Sequence, residues 1–428
     1  MKFVLSLIGL IFVAQTLSAS PFAYVANLSD DTVSVIDIST NLVVATVPVG
    51  SSPEYIAVTP NGQFAYVVNN GTNSVSVIDA STDMVVATIT VGTNPAGISI
   101  TPNGQFAYVV NGESNNVSVI DISTNTVIGP PIAVGGTPEG VAITPNGQFA
   151  YVTNFSDGTV SVINISSNMV VDTIPVEAGP APIAVNPNGL FAYVGNGNSS
   201  TVSVLDLNTN MVTSNVGVGG LPVAIAVSPG GQYAYVLVST ITSSFISLLD
   251  TTSQTITTTI PLPSGSDPEG IAITPDGKYA YVTYSNLAEV AIVDLSSNTL
   301  TGTTIPVGNT PFGIAITYIP FPNPSLFQPF SFTGKIVKHH GKFKLKAQWP
   351  ASPSSNIIAY EIFGFDQLIS IVPSNAPLNF DIALPRPDTH KHHWREKYQR
   401  YLNAKYKVRA VSSNNSRSGF TNLNVQGF

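Results

Sequence analysis

A nine-residue segment that recurs without change constrains this chain more than any other feature. Thr-Pro-Asn-Gly-Gln-Phe-Ala-Tyr-Val occupies residues 59–67, 101–109 and 144–152, and variants of its last four residues continue the series before and after these copies. The tyrosines of the series follow one another at intervals of 42, 42, 43, 42, 42 and 46 residues: Tyr24, Tyr66, Tyr108, Tyr151, Tyr193, Tyr235 and Tyr281. A period of about 40–45 residues is typical of the four-stranded blade of a β-propeller.

Each repeat contains four strand-like runs, which in the second copy are residues 55–58, 64–68, 74–78 and 85–89. Pro60-Asn61-Gly62 separates the first two runs. Proline presets one turn dihedral, and Asn-Gly accepts the positive φ of a tight hairpin. No segment of the repeat region shows a sustained helical period with caps, so we predict no helix there.

The first and second strands of the repeat are offset along the chain, and the offset predicts how the ring closes. Each occurs seven times, the first strand at 55–58, 97–100, 140–143, 182–185, 224–227, 270–273 and 313–316. Residues 313–316 have no tyrosine strand after them, and Phe22–Val25 has no first strand before it. We therefore predict an all-β, seven-bladed propeller in which 313–316 completes the blade begun at Phe22. Such closure removes the open sheet edge that invites aggregation.

A short motif inside the repeat carries a family resemblance. Tyr-Val-x-Asn stands at Tyr24–Asn27, Tyr66–Asn69, Tyr108–Asn111, Tyr151–Asn154 and Tyr193–Asn196, and Val-Ser-Val-Ile-Asp or a close variant follows it. This pattern resembles the YVTN-repeat β-propellers, which include archaeal surface-layer proteins and exported bacterial propellers. The resemblance covers about residues 22–318. It implies a propeller that serves as a binding or surface module. Val238 and Tyr284 replace the asparagine in copies six and seven, so if the ring has an irregular, functional sector, these two copies are where we expect it.

The N-terminus has the pattern of a signal peptide over residues 1–19. Lys2 is followed by the apolar run Phe3–Val13 and by Leu17-Ser18-Ala19, which ends in a small residue. The alternative is a buried first strand. No other stretch reaches about 18 apolar residues, so we expect no transmembrane segment. The chain has no cysteine, which excludes disulfides and thiol catalysis. We expect an exported protein that is periplasmic, cell-surface or extracellular.

Charge divides the chain in two. Residues 20–318 carry nineteen acids and one base, Lys278, a net charge of −18, whereas residues 319–428 carry a net charge of +9. A break of this kind marks a domain boundary. We predict a propeller over 20–318, a proline-rich linker over 319–331 and a second domain over 332–428. The acidic propeller should repel nucleic acid and anionic membranes.

The second domain has its own strand-like runs, at 342–349, 357–363, 368–372, 378–384, 406–411 and 420–425. It resembles a fibronectin type III sandwich, a small β-sandwich. The resemblance places Trp349 at the end of strand B, Tyr360 on strand C and Tyr406–Val411 on strand F, with its tyrosine corner.

The composition of the propeller argues against catalysis. Residues 20–318 contain no His, Arg, Cys or Trp, so the many Ser and Thr hydroxyls lack a base that would activate them. The recurring tyrosines and aspartates are interpreted as packing and turn residues. We predict no cofactor, no metal and no enzymatic activity. Related seven-bladed lactonases show that such a ring can host hydrolysis, although their chemistry uses basic and imidazole side chains. A lactonase-like hydrolase and a structural surface-coat subunit remain the alternatives.

Two groups of residues are candidate binding sites. Glu54, Glu139 and Glu269 each follow a proline just before a first strand, where the other copies have Ala96, Ala181, Val223 and Phe312. If that strand is innermost, three carboxylates share one mouth of the ring and can attract a cation or a basic partner. Solvated rim charge is the alternative.

The second group, Lys391, Arg395 and Lys397, belongs to a basic segment that can contact anionic envelope polymers or lipid headgroups. His390-x-His392-His393 in the same segment leaves a transition-metal site as an alternative. The sequence as a whole predicts an exported, non-catalytic propeller that binds a protein or a glycan.

Overall fold

A computed structural model describes residues 21–317 in full and, beyond them, the backbone of seven strands between residues 333 and 422. The chain divides into two compact units, one spanning Ser20–Ile319 and a second that includes Pro320–Phe428. Within the described residues, no helix is long and apolar enough to cross a bilayer.

The first unit is a seven-bladed propeller of four-stranded antiparallel blades. Strands are numbered in chain order. The innermost strands of blades one to seven are β28 (Pro311–Ile316), β4 (Pro53–Val58), β8 (Pro95–Ile100), β12 (Pro138–Ile143), β16 (Pro180–Val185), β20 (Leu221–Val227) and β24 (Pro268–Ile273). The second strands are β1 (Phe22–Asn27), β5 (Phe64–Asn69), β9 (Phe106–Asn111), β13 (Phe149–Asn154), β17 (Phe191–Asn196), β21 (Tyr233–Ser239) and β25 (Tyr279–Tyr284).

The third and fourth strands lie farther from the axis. The third strands are β2 (Thr32–Asp37), β6 (Ser74–Asp79), β10 (Asn116–Asp121), β14 (Thr159–Asn164), β18 (Thr201–Asp206), β22 (Ser244–Asp250) and β26 (Glu289–Asp294). The outermost strands are β3 (Leu42–Pro48), β7 (Met84–Thr90), β11 (Thr126–Ala133), β15 (Met169–Pro175), β19 (Met211–Gly217), β23 (Thr255–Pro261) and β27 (Thr299–Pro306). The helical content of residues 21–317 is one 3₁₀ turn, Asn70–Thr72.

The predicted closure is confirmed. Strand β28 pairs antiparallel with β1, so that Tyr24 lies opposite Ala315, and blade one has the order β28-β1-β2-β3. The first and last strands of the propeller thus share one sheet. The predicted strands also agree with the observed ones: the run expected at 64–68 is β5, Phe64–Asn69.

The hydrophobic core lies between blades rather than within them. Tyr66 and Val77 of blade two pack with Val109 and Ile120 of blade three, and the same arrangement recurs around the ring. The second and third strands are almost wholly buried. Because each blade completes its core against a neighbour, the repeats depend on one another for stability.

The repeated tyrosine links neighbouring blades. In four blades its hydroxyl donates to a side-chain oxygen in the turn between the third and fourth strands of the next blade. The pairs are Tyr66–Asn125 at 2.5 Å, Tyr108–Asn168 at 2.6 Å, Tyr151–Asn210 at 2.8 Å and Tyr281–Asn41 at 2.5 Å. Tyr24 differs, since its hydroxyl is buried without a hydrogen-bond partner among the described residues. The equivalent turn residue for Tyr24 is Asp83, which has the same positive φ as these asparagines.

The aspartate that ends each third strand holds a local turn, as the sequence predicted. Asp79 Oδ1 accepts hydrogen bonds from Ser81 Oγ at 2.6 Å and from Ser81 N at 2.8 Å. These bonds hold the pKa of Asp79 below its usual value. Asn164 makes the same turn with Ser166, with an N···Oδ1 distance of 3.0 Å, so the turn needs an acceptor rather than a charge.

The second unit contains two antiparallel sheets. One has the order β29 (Thr333–His339), β30 (Lys342–Gln348), β33 (Phe380–Ala383), and the other has the order β32 (Gln367–Pro373), β31 (Ile357–Gly364), β34 (Tyr406–Ser412), β35 (Thr421–Asn422). Lys391, Arg395, Lys397, the neighbouring histidines, Trp349 and the expected signal peptide lie outside the described residues.

Candidate functional site

One face of the propeller, here named the upper face, carries acids and no base. It consists of the turns between second and third strands, the loops from each outermost strand to the next innermost strand, and the adjoining strand ends. Ten carboxylates lie there: Asp30, Asp31, Glu54, Glu113, Glu139, Asp157, Glu177, Asp267, Glu269 and Glu289. Lys278, the one base of residues 20–318, lies on the opposite, lower face, 3.5 Å from Asp276.

The structure brings Glu54, Glu139 and Glu269 to the axial mouth of this face. The innermost strands of neighbouring blades contact one another around the ring. The residues at the equivalent position are, from blade one to blade seven, Phe312, Glu54, Ala96, Glu139, Ala181, Val223 and Glu269. Single apolar residues separate the three carboxylates along one arc, and Ala181 and Val223 complete the ring. Each glutamate is half-buried.

A bulge at the start of each innermost strand positions these side chains. Pro53 pairs with Asn69, but the next paired residue is Tyr55, opposite Val68, so Glu54 stands outside the regular ladder. The same irregularity follows Pro138 and Pro268. A bulge re-aims a side chain relative to its strand, and bulges are common beside functional sites.

The innermost strands approach closely just past these carboxylates. A Cβ at Gly270 would lie 2.5 Å from the carbonyl oxygen of Phe312 in the next blade. Thr283 Oγ1 accepts from Gly270 N at 2.8 Å and donates to Phe312 O at 2.7 Å, which ties the two blades together. Thr153 makes the equivalent contacts with Gly140 and Ala181. Threonine hydroxyls thus join blade seven to blade one and blade four to blade five at the mouth.

Tyr55 is the axial residue that sequence reasoning missed. Its ring meets Phe312 edge to face, with centroids 5.5 Å apart and an interplanar angle of 80°. Burial raises the pKa of Tyr55, and the nearby carboxylates Glu139, Glu54 and Glu269 raise it further. The repeat contained a sign of this contact, because Tyr55 is the one large side chain at a position where the other blades have Gly, Pro or Ala.

The pKa values of all three axial carboxylates are raised by burial, and two of them lie near neutrality. Burial, with Glu139 nearby, raises the pKa of Glu54 to about 7. Burial, with Asp267 and Glu54 nearby, raises the pKa of Glu269 to about 7, and burial also raises that of Glu139. These three accept no hydrogen bond from any residue that the structure describes, unlike Asp30, which accepts from Asn309 N at 2.7 Å. Their carboxylates are thus free to meet a ligand.

Other candidate features of the propeller carry less chemistry. In blade six, the turn after β21 exposes Ile241, and in blade seven the hydroxyl of Tyr284 is buried without a partner. A cleft of about 490 Å³ lies at the seam of blades seven and one, but its carboxylate, Asp30, is already bonded to Asn309. Among the described residues, no group of three or more His, Asp or Glu is arranged to hold a metal ion.

Comparison with protein families identifies the class of this fold. The family model described as YNCE-like beta-propeller matches residues 11–320, and the chain belongs to that family. A comparison with curated proteins finds no match.

Solved propeller structures are similar in fold. Hydrazine synthase of Kuenenia stuttgartiensis is 24% identical, with a TM-score of 0.56 over 61% of this chain and 88% of that chain. A functionally unknown protein of Desulfotomaculum acetoxidans is 21% identical, with a TM-score of 0.64 over 70% of this chain and 100% of that chain. A putative 6-phosphogluconolactonase of Bacteroides fragilis is 20% identical, with a TM-score of 0.58 over 70% and 99%. Identities this low show a shared fold, and a fold of this kind hosts many functions.

Proposed function

We propose that the protein is an exported, non-catalytic binding module whose upper face recognises a cationic segment of a protein partner. The observation that carries the proposal is the upper face itself, with ten carboxylates, no base and three glutamates around the axial mouth. Such a face concentrates positively charged partners and speeds their association.

The aromatic pair beside the glutamates supports a lysine or arginine side chain as the group bound. Tyr55 and Phe312 provide apolar surface for an aliphatic stem, and ring faces attract a cation. A carboxylate pair then meets the charged head. A neutral glycan would use the aromatic surface without the carboxylates, so glycan binding is the competing outcome.

The raised pKa values give this proposal a pH signature. Because Glu54 and Glu269 have pKa values of about 7, both lose their protons as the pH rises from 6 to 8. A lysine-rich peptide should bind more tightly at pH 8 than at pH 6, and the change should vanish in the Glu54→Gln, Glu269→Gln variant. Fluorescence anisotropy measures this, with the lysine-acetylated peptide as the control. Binding that is insensitive to acetylation would favour a neutral ligand.

A hydrolase is the second candidate, and the same carboxylates favour it. A pKa of about 7 suits a general acid or base at neutral pH. A phosphorylated lactone would meet only carboxylates at the upper face and be repelled, so a substrate of this site would be neutral or cationic. Turnover of unphosphorylated lactones or esters that is lost in Glu54→Gln would support this candidate over the binding module.

The second unit is proposed as an anchor. Its net charge of +9 opposes the −18 of the propeller, which suits contact with an anionic envelope surface. The segment that holds Lys391, Arg395 and Lys397 is one candidate for that contact. Its three-stranded and four-stranded antiparallel sheets suit the fibronectin type III-like sandwich that the sequence resembles. The two units then have separate roles: the propeller binds the partner through its upper face, and the second unit binds the envelope surface.

A further inference from the structure

One sheet of the second unit gathers lysines on a single face. In β30, Lys342, Lys344 and Lys346 occupy alternate positions, and alternate residues of a strand share one face. Lys335 of β29 lies directly opposite Lys346, so it belongs to the same face. This set of four is named the lysine face.

The opposite face has a different character. Phe343, Leu345 and Ala347 occupy the intervening positions of β30, and Ile336 and Lys338 of β29 share their face. That face is mainly apolar, with one lysine in the edge strand. An antiparallel sheet with one mainly apolar and one charged face is typical of a sheet that packs on one side and meets water on the other. The third strand of this sheet, β33, places Ala383 opposite Lys344 and Asp381 opposite Lys346. Asp381 is the only acid in the three strands. The lysine face therefore has a large positive excess.

Folding alone does not account for this arrangement. Like charges directly opposite each other across a sheet, as Lys335 and Lys346 are, destabilise the pairing. The lysines along β30 repeat about every 7 Å, and cross-strand neighbours lie about 5 Å apart. Lysine supplies a hydrated point charge on a flexible stem, without the fixed fork that arginine uses for one bidentate anion. The pattern is a repeating array of charges along one face of a sheet.

We propose that the lysine face is the surface through which this protein lies on an anionic lipid bilayer. The inference rests on the proposed anchoring role of the second unit, and it assigns that role to the sheet rather than to the segment around Lys391. A repeating array of charges matches an array of headgroups better than it matches a single bound anion. Near an anionic bilayer each lysine strengthens binding about fivefold.

Vesicle co-sedimentation of the expected mature chain, residues 20–428, tests this. Vesicles of phosphatidylglycerol and phosphatidylcholine should bind the chain at low salt, and pure phosphatidylcholine vesicles should not. Replacing Lys335, Lys342, Lys344 and Lys346 by Gln should weaken binding about 100-fold or more, and the Lys342→Gln, Lys344→Gln pair about 25-fold. A variant with Arg at the same four positions keeps the charge and should keep its affinity for the vesicles. Circular dichroism of both variants then shows whether weaker binding comes from the loss of charge or from unfolding.

The remaining outcomes are decisive in different ways. If Lys391→Ala, Arg395→Ala and Lys397→Ala abolish binding while the four-Gln variant retains it, anchoring stands and the lysine face is wrong. If the unmodified chain ignores anionic vesicles at low salt, both the anchoring role and the lysine face fail. If the chain instead self-associates at low salt and the four-Gln variant does not, the lysine face binds the acidic upper face of a second copy. That result would overturn the lipid proposal.

Discussion

At the scale of single residues, the repeat encodes a hydrogen bond that crosses from one blade to the next. Tyr108 donates to Asn168 at 2.6 Å, and the asparagine can hold that position because it tolerates a positive φ. Blade one lacks this bond. Asp83 stands where the partner of Tyr24 would be, and burial raises its pKa, with Asp79 adding to the effect. The Tyr24 hydroxyl is buried without a partner.

This difference gives a matched pair of substitutions. Tyr108→Phe should lower the free energy of unfolding by about 1 kcal/mol or more, because it removes a hydrogen bond and orphans the Asn168 oxygen. Tyr24→Phe should leave stability unchanged or raise it, since that hydroxyl has no bond to lose. Urea unfolding of both variants measures the contrast. An equal loss in the two would show that the interblade bond contributes nothing.

The axial glutamates give a pH dependence of stability. The folded pKa of Glu54 and of Glu269 is about 7, above the ordinary 4.5, so the folded state binds more protons between these values. Stability should therefore fall as the pH rises from 4.5 through 7. Glu54→Gln with Glu269→Gln should flatten this fall and raise the free energy of unfolding at pH 8, on the order of 1–3 kcal/mol. Exposed Glu113→Gln is the control, and a slope unchanged in the double variant would contradict the account.

At this scale, sequence reasoning succeeded where the repeat fixes position. The alignment of Glu54, Glu139 and Glu269 after equivalent prolines was enough to place them together. Their raised pKa values and the contact of Tyr55 with Phe312 could not be predicted, because they depend on how neighbouring blades bury one another at the axis.

At the scale of elements, innermost strands approach so closely in blades one, three, four and seven that glycine follows the axial residue there. Gly270→Ala would place a Cβ 2.5 Å from the backbone oxygen of Phe312, and that oxygen also accepts from Thr283. We expect a loss of about 2–3 kcal/mol in the free energy of unfolding. Gly217, which has no atom within 4 Å of its Cβ position, is the control, and Gly217→Ala should be neutral. An unchanged free energy of unfolding for Gly270→Ala would contradict so close an approach of the two strands.

The closing strand gives a second test at this scale. A chain of residues 20–310 lacks β28 and leaves β1 with an unpaired edge, whereas residues 20–318 retain it. The shorter chain should unfold at a markedly lower temperature or aggregate, and the longer one should fold as a monomer. Calorimetry with light scattering measures both. The same Tm for the two chains would refute closure by β28.

The elements were the most predictable part of the molecule. Strand bounds followed from the 42-residue period and from turns such as Pro60-Asn61-Gly62. The bulge after each leading proline was not predicted, since it comes from the packing of blades around the axis and leaves no mark in the local alternation.

At the scale of the whole molecule, the two faces of the propeller use acids differently. On the lower face, Asp79, Asp121 and Asp294 each bind the serine two residues on, so their charge is incidental to a turn that Asn164 also makes. On the upper face, Glu54, Glu139 and Glu269 hold no turn among the described residues. Net charge alone cannot distinguish the faces. The sequence predicted the turn role of the recurring aspartates and the shared mouth of the three glutamates, but not that the other acids divide between two faces.

Equal neutralisation of the two faces tests whether the upper face is a binding site. Two triple variants remove the same number of carboxylates from opposite faces. The upper variant changes Glu54, Glu139 and Glu269 to Gln, and the lower variant changes Asp79, Asp121 and Asp294 to Asn. Affinity for a lysine-rich peptide is then measured at pH 8 for residues 20–318. We expect a loss of about tenfold or more for the upper variant and about twofold for the lower one. Equal losses would mean that the peptide senses only net charge, and the upper face would not be a binding site.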